Sequence, residues 1–243
     1  MEEKYTGESL TFSKKLENFW YHYKIHTVAA LFIIIVAVIC IVQMCSKPSY
    51  DAHILYAGDE RISSVRQGGD LSEYEKVRDA LISVSPDRDG DGDVLISFLN
   101  LFVANEDELI ALSERGESIE GVANVIKEDT DTLHFNMLSG DYYVMLLSTR
   151  IFLDYDGEYS TALFTDLSVY AEAADVEYVG DGKRGIKLSS LENFSELEGI
   201  NGMDPEDTVL CLRKISDISK GQNKHEKNFA AGEAVIRKLL AYD

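Results

Sequence analysis

The chain has 243 residues, room for one large domain or two small ones with a sizeable core. Its 43 Asp and Glu against 23 Lys and Arg give a formal net charge of −20, which argues against a nucleic-acid partner, because phosphate neutralisation needs clustered Lys and Arg. A hydrophobic content of 45% excludes a disordered chain, and three cysteines (Cys40, Cys45 and Cys211) are too few for a disulfide scaffold.

Residues 1–26 read as a cytoplasmic aromatic and basic juxtamembrane segment. Phe12, Leu16, Phe19, Trp20 and Tyr23 fall three or four apart, one face of a helix, with Lys14, Lys15 and Lys24 beside them. The expectation is an interfacial helix leading into the membrane. Thr27 to Ser46 (TVAALFIIIVAVICIVQMCS) is uncharged and apolar on every side. At 1.5 Å per residue it is about 30 Å long, the thickness of a hydrocarbon core, and is expected to be a transmembrane helix. A cleaved signal peptide fits less well: its leader is short, and Gln43, Met44 and Cys45 do not make a small-residue cleavage site. The lysines before the span, set against Lys47 and Arg61 after it, predict a cytoplasmic N-terminus and an external C-terminal domain.

Residues 47–243 are expected to form one extracytoplasmic α/β domain. Asp51–Tyr56 reads as a strand ending in Ala57-Gly58-Asp59. After a Gly68-Gly69 turn, Asp70 and Glu73 have capping-box spacing, and Tyr74, Val77, Leu81 and Val84 share one face of the next helix, which Pro86 closes. Val94–Val103 is a nearly continuous apolar run, expected as a strand covered on both faces. Asn105 caps a helix with Leu109, Ile110 and Leu112 inward; Thr132–Ser139 adds a turn or two with Leu133, Phe135, Met137 and Leu138, stopped by Gly140. Asp141–Leu147 is the third strand. This order predicts a doubly wound, mostly parallel sheet. From Asp156 to about Pro205 the pattern weakens to two short strands, Asp175–Val179 and Gly185–Leu188, around a Gly-Asp-Gly turn. Thr208–Leu212 is a final strand and Asn228–Tyr242 an amphipathic helix burying Phe229, Ile236, Leu239 and Leu240.

The run from ILYAG through VLISFL to Leu138-Ser139-Gly140-Asp141-Tyr142-Tyr143-Val144 resembles the first lobe of type 2 periplasmic solute-binding proteins. The whole layout resembles uncharacterised single-pass membrane proteins of Gram-positive bacteria, with Phe19-Trp20-Tyr21-His22-Tyr23-Lys24 before the anchor and Lys47 to Tyr50 after it. These resemblances imply location and a single solute-binding-like lobe, and no activity. Only about 50 residues separate Asp156 from the final strand, whereas a second lobe needs about 100.

Asp87, Asp89, Asp91 and Gly92 occupy positions 1, 3, 5 and 6 of an EF-hand-type loop, but positions 9 and 12 are Leu95 and Phe98. An Asp/Gly turn into a strand is the expectation, with weak calcium binding as the alternative. Gly180-Asp-Gly182-Lys-Arg-Gly185 matches a dinucleotide pattern literally, yet a strand rather than a helix follows, so a hairpin is expected. His22, His26, His53, His134 and His225 form no metal spacing, and Cys211 reads as a buried small hydrophobe. The expected function is therefore a non-enzymatic module, without cofactor, that binds a protein partner. The alternative is a tethered solute-binding protein serving a transporter, with its crevice at Ala57-Gly58-Asp59 and Ser148-Thr149-Arg150 and Arg150 meeting an anionic ligand.

Overall fold

A computed structural model describes residues 12–45, 49–59, 62, 71–116, 121–159, 163–171, 175–191 and 203–240. The chain divides into two units, Met1–Ser49 and Tyr50–Asp243.

The first unit contains one helix, α1 (Phe12–Cys45), 34 residues without a break and so about 51 Å long. Within it Phe19–Val42 is long and apolar enough to cross a membrane, its most apolar 18-residue window having a mean hydropathy of 3.0 with none of that window buried. This is compatible with a membrane anchor or a signal sequence. This span begins eight residues before the expected Thr27 and takes in Phe19, Trp20 and Tyr21 together with Lys24. The aromatic face and the apolar run thus belong to the same helix rather than to two elements; Leu16, Phe19, Trp20 and Tyr23 are all exposed.

The second unit is α/β. Its strands are β1 (Ala52–Gly58), β2 (Ile96–Phe102), β3 (Val144–Ser148), β4 (Tyr178–Val179), β5 (Gly185–Lys187) and β6 (Thr208–Leu212). Its helices are α2 (Leu71–Ser83), α3 (Glu106–Glu114), α4 (Val122–Ser139), α5 (Thr149–Tyr159) and α6 (Asn223–Leu239). The six strands form one sheet in the order β2-β1-β3-β6-β5-β4. The first three are parallel neighbours, as the strand–helix–strand order predicts. The remaining pairings, β3 with β6, β6 with β5 and β5 with β4, are antiparallel. The sheet is therefore mixed, mostly but not wholly parallel as expected: four strands run one way and β6 and β4 run against them. A short hairpin and a return strand need no crossover helix, and that permits the reversal.

Strand side chains alternate between two buried layers, as period-2 geometry requires. Ile54, Tyr56, Val144, Leu146, Leu210 and Leu212 pack with Val77 and Leu81 of α2 and Val235, Ile236 and Leu239 of α6. Leu55, Ala57, Met145, Leu147, Val209 and Cys211 pack with Leu133 and Met137 of α4 and Ile151 and Phe152 of α5. Helices thus cover both faces, which explains why the central strands are apolar throughout.

Several local expectations shift. Asp70 lies outside the described residues, while Tyr74, Val77, Leu81 and Val84 do turn toward the core. Asn105 accepts from the Glu108 backbone N–H at 2.9 Å and Glu108 accepts from the Asn105 N–H at 2.7 Å, a complete capping box. On α3, Leu112 is buried but Ile110 is exposed; on α4, Leu133 and Met137 are buried but Phe135 and Leu138 are exposed. Nine and eighteen residues long respectively, these helices turn one apolar stripe inward and leave the rest to solvent. Helix α5 carries a weak sequence signal because the inward residue after Phe152 and Tyr155 is Asp156, which breaks the apolar period.

Two polar anchors hold the layers. Arg213, 1% exposed, follows β6 and donates to the carbonyls of Gly140, Tyr142 (3.1 Å) and Lys214 (3.5 Å), with its guanidinium 4.5 Å from the Tyr143 ring centre. Gly140 is required there by close approach: a Cβ would lie 2.7 Å from the Asn136 Cα. Asp156 of α5 takes two hydrogen bonds from Arg184, at 2.5 and 3.0 Å, and pins the β4–β5 hairpin to α5.

Tyr170 donates to Glu233 of α6 beneath Arg237, and burial together with that bond pushes its hydroxyl up to about 12. The protonated phenol is favoured in the folded state, so its stabilisation is complete below pH 10 and is lost as pH rises toward 12. Ultraviolet titration should show one phenolate appearing near pH 12, a transition that Tyr170→Phe removes.

Candidate functional site

The first candidate is the acidic loop between α2 and β2. Its turn is built by side chains: Asp87 accepts from the N–H groups of Gly90 (2.7 Å) and Gly92 (3.0 Å), Asp89 from Asp91, and Asp91 from Asp93 (2.8 Å). Gly90 and Gly92 take φ of +75° and +93°, the left-handed region that glycine enters freely. Asp51, just before β1 and 2% exposed, holds both ends of the loop, accepting from Arg88 N–H and Leu95 N–H at 2.8 Å each. Carboxylate oxygens of Asp51, Asp87 and Asp89 lie within 4.8 Å of one another. Asp91 of the EF-hand pattern is not in this group, and Asp51, far upstream in the chain, takes its place. Both oxygens of Asp51 and of Asp87 already accept backbone hydrogen bonds, which is the arrangement of an Asp/Gly turn. Replacing Asp51 with alanine should strand two N–H groups and cost about 2–3 kcal/mol, measurable by chemical denaturation.

The second candidate is the carboxyl end of the parallel strands. In the order β2-β1-β3, the chain leaves β1 toward α2 on one face and β3 toward α5 on the other, so a topological switch point falls between them. Asp59 follows β1 there. Thr149 donates its N–H (2.7 Å) and hydroxyl (2.9 Å) to the Asp207 carbonyl. Burial raises the carboxyl of Asp59, helped by Glu108, and burial raises that of Asp207, helped by Asp59.

Arg150, which only the solute-binding alternative assigns to an anionic ligand, is already engaged. Its Nε and Nη2 meet the two oxygens of Glu108 at 2.6 and 2.9 Å, and Nη2 also donates to the Val103 carbonyl at 3.0 Å. Burial pulls the guanidinium down, but the Glu108 bond together with the charges of Glu108, Asp154 and Asp59 outweighs it and holds Arg150 above its ordinary value. Glu108 is absent from the residues expected at this end of the sheet, although the Asn105-x-x-Glu108 spacing of a capping box is visible in the sequence. Since Glu108 serves cap and ion pair at once, Glu108→Ala should destabilise by about 2 kcal/mol, read as a lowered denaturation midpoint.

Beside Arg150 a groove of ≈ 460 Å³ opens between α4 and α5. Val103, Leu133 and Ile151 form its apolar part, and Thr130, His134, Arg150, Asp154 and Tyr155 its polar part. The Tyr155 hydroxyl and His134 Nδ1 are 2.6 Å apart, joining the two helices across it. Asp154 stands 3.5 Å from Arg150 Nη1 and is 66% exposed.

The Gly180–Gly185 segment is the β4–β5 hairpin, as expected, and Cys211 is buried with its thiol pushed up by desolvation. Cys211 is a free thiol, and the Cys45 side chain lies outside the described residues. His22 and His26 lie exposed on α1, and His225 bonds Tyr143 at 2.8 Å. Comparison with protein-family models, curated proteins and solved structures finds no match, so function must be argued from this chain's own residues.

Proposed function

We propose that this is a single-pass membrane-anchored protein whose acidic α/β domain, outside the cytoplasm, is a non-enzymatic module that binds a partner protein over the α4–α5 face. The observation that carries this reading is on α4, which buries Leu133 and Met137 yet leaves Phe135 and Leu138 62% and 56% exposed. Leu138 follows the groove-lining His134 by one helical turn, and Phe135 precedes Leu138 by three residues, so the two exposed side chains are neighbours on α4. An exposed apolar pair on a helix that also lines a concave groove is the composition of a contact surface. Anchoring is supported by the length and apolarity of Phe19–Val42, and the external placement of the domain by Lys14, Lys15 and Lys24 at the N-terminal end of α1.

The tethered solute-binding reading draws support from the groove, whose size suits a small ligand. It is disfavoured because the one cation expected to hold an anionic solute is bound by Glu108.

A photo-crosslinking residue at Phe135, with one at exposed Ile218 as control, tests the reading in intact membranes. A discrete adduct from position 135 and none from 218 is expected; the same faint pattern from both would overturn it. Alkaline carbonate extraction should leave the full-length chain in the membrane pellet, whereas release of a shortened soluble form would mean a cleaved signal sequence.

A further inference from the structure

We propose that the α4–α5 groove is the seat of a lysine or arginine side chain presented by a basic segment of the partner protein. This rests on the partner-binding reading above and adds the partner's chemistry.

Charge comes first. Arg150 faces two carboxylates, Glu108 at 2.6 Å and Asp154 at 3.5 Å, so one negative charge is left over. Glu108 takes the Nε and Nη2 edge of the guanidinium and is 19% exposed, so the surplus sits on Asp154, 66% exposed. Residues 48–243 hold 18 Lys and Arg against 39 Asp and Glu, and a field of that sign draws a cationic partner toward the groove. Shape and polarity come second. Val103, Leu133 and Ile151 close the apolar floor of the groove, over which an aliphatic stem would run beside Tyr155. The Tyr155 ring lines the groove with the exposed carboxylate, where an ammonium or guanidinium is attracted by both. An anionic side chain would meet Asp154, while the one cation among the described lining residues, Arg150, is held by Glu108.

The test uses the full-length chain in nanodiscs and a blocked pentapeptide, acetyl-Gly-Gly-Lys-Gly-Gly-amide, with a norleucine analogue in place of lysine. A zero-length carbodiimide coupling joins an amine only to a carboxylate it touches, and mass spectrometry locates the linkage. Adducts concentrated on Asp154 are expected, along with binding about fivefold weaker in Asp154→Asn, unchanged in Asp217→Asn, and lost for the norleucine peptide. Adducts scattered over the acidic surface, or Asp154→Asn binding as the parent does, would overturn the proposal and mean general charge attraction only. If the Phe135 adduct forms in membranes while the lysine peptide fails, the groove assignment alone falls. If neither forms, the partner-binding reading falls with it.

Discussion

Replacing Arg213 with methionine is expected to lower the stability of the α/β domain by about 3–5 kcal/mol, the cost of orphaned buried carbonyls and a lost cation–π contact. The side chain is 1% exposed, and its charge is spread over carbonyls at the α4–β3 turn and the Tyr143 face. Burial pulls its pKa down, yet guanidinium remains charged at any ordinary pH. Methionine keeps most of the volume but leaves the Gly140 and Tyr142 carbonyls without this donor, at about 0.5–1.5 kcal/mol net each, and forfeits a desolvated cation–π contact worth about 2 kcal/mol. For a domain of nearly 200 residues that corresponds to a fall in Tm of roughly 10 °C or more. Arg213→Lys should recover only part, since an ammonium cannot reach two carbonyls in fork geometry. A change below about 1 kcal/mol in the stability of Arg213→Met would show that water replaces the lost donors.

The second large effect belongs to Asp156. Its removal leaves Arg184, 15% exposed, without the carboxylate that holds its pKa above the ordinary value. Asp156→Ala should cost about 3 kcal/mol, because an uncompensated buried charge is worse than no charge. The paired replacement Asp156→Leu with Arg184→Met should be milder than Asp156→Ala alone, and that ordering is the diagnostic result. Equal losses would mean that the β4–β5 hairpin is held chiefly by apolar packing around Gly185, where a Cβ would meet Phe152 and Val209 at 2.6 Å. The double-mutant cycle separates the two contributions.

These two residues also mark where sequence reasoning stops. Arg213 follows an apolar strand and Asp156 sits within the apolar face of α5; in a linear pattern each looks like the end of a buried stretch. Their partners lie 71 and 28 positions away, and no local period reveals such distances. The same holds for Asp51 at the loop of Asp87 and Asp89, and for Glu108 at Arg150. Capping spacing announces the local role of Glu108 but not its ion pair, 42 residues apart. Exposure of Phe135 and Leu138 is equally hidden, since an apolar residue on a helix reads as inward until the neighbouring layer is known.

The sequence by itself determined the apolar helix, the strand–helix alternation, the parallel direction of the first three strands, the hairpin at Gly180–Gly185 and the acidic character of the domain. All of these follow from short-range period, turn chemistry and charge counting, properties carried by residues within one or two turns of each other. Tertiary structure alone decided the antiparallel half of the sheet, the neutralisation of Arg150 and the groove between α4 and α5. Those depend on which segments meet across the sheet, and burial of both its faces selects that arrangement over the whole domain at once.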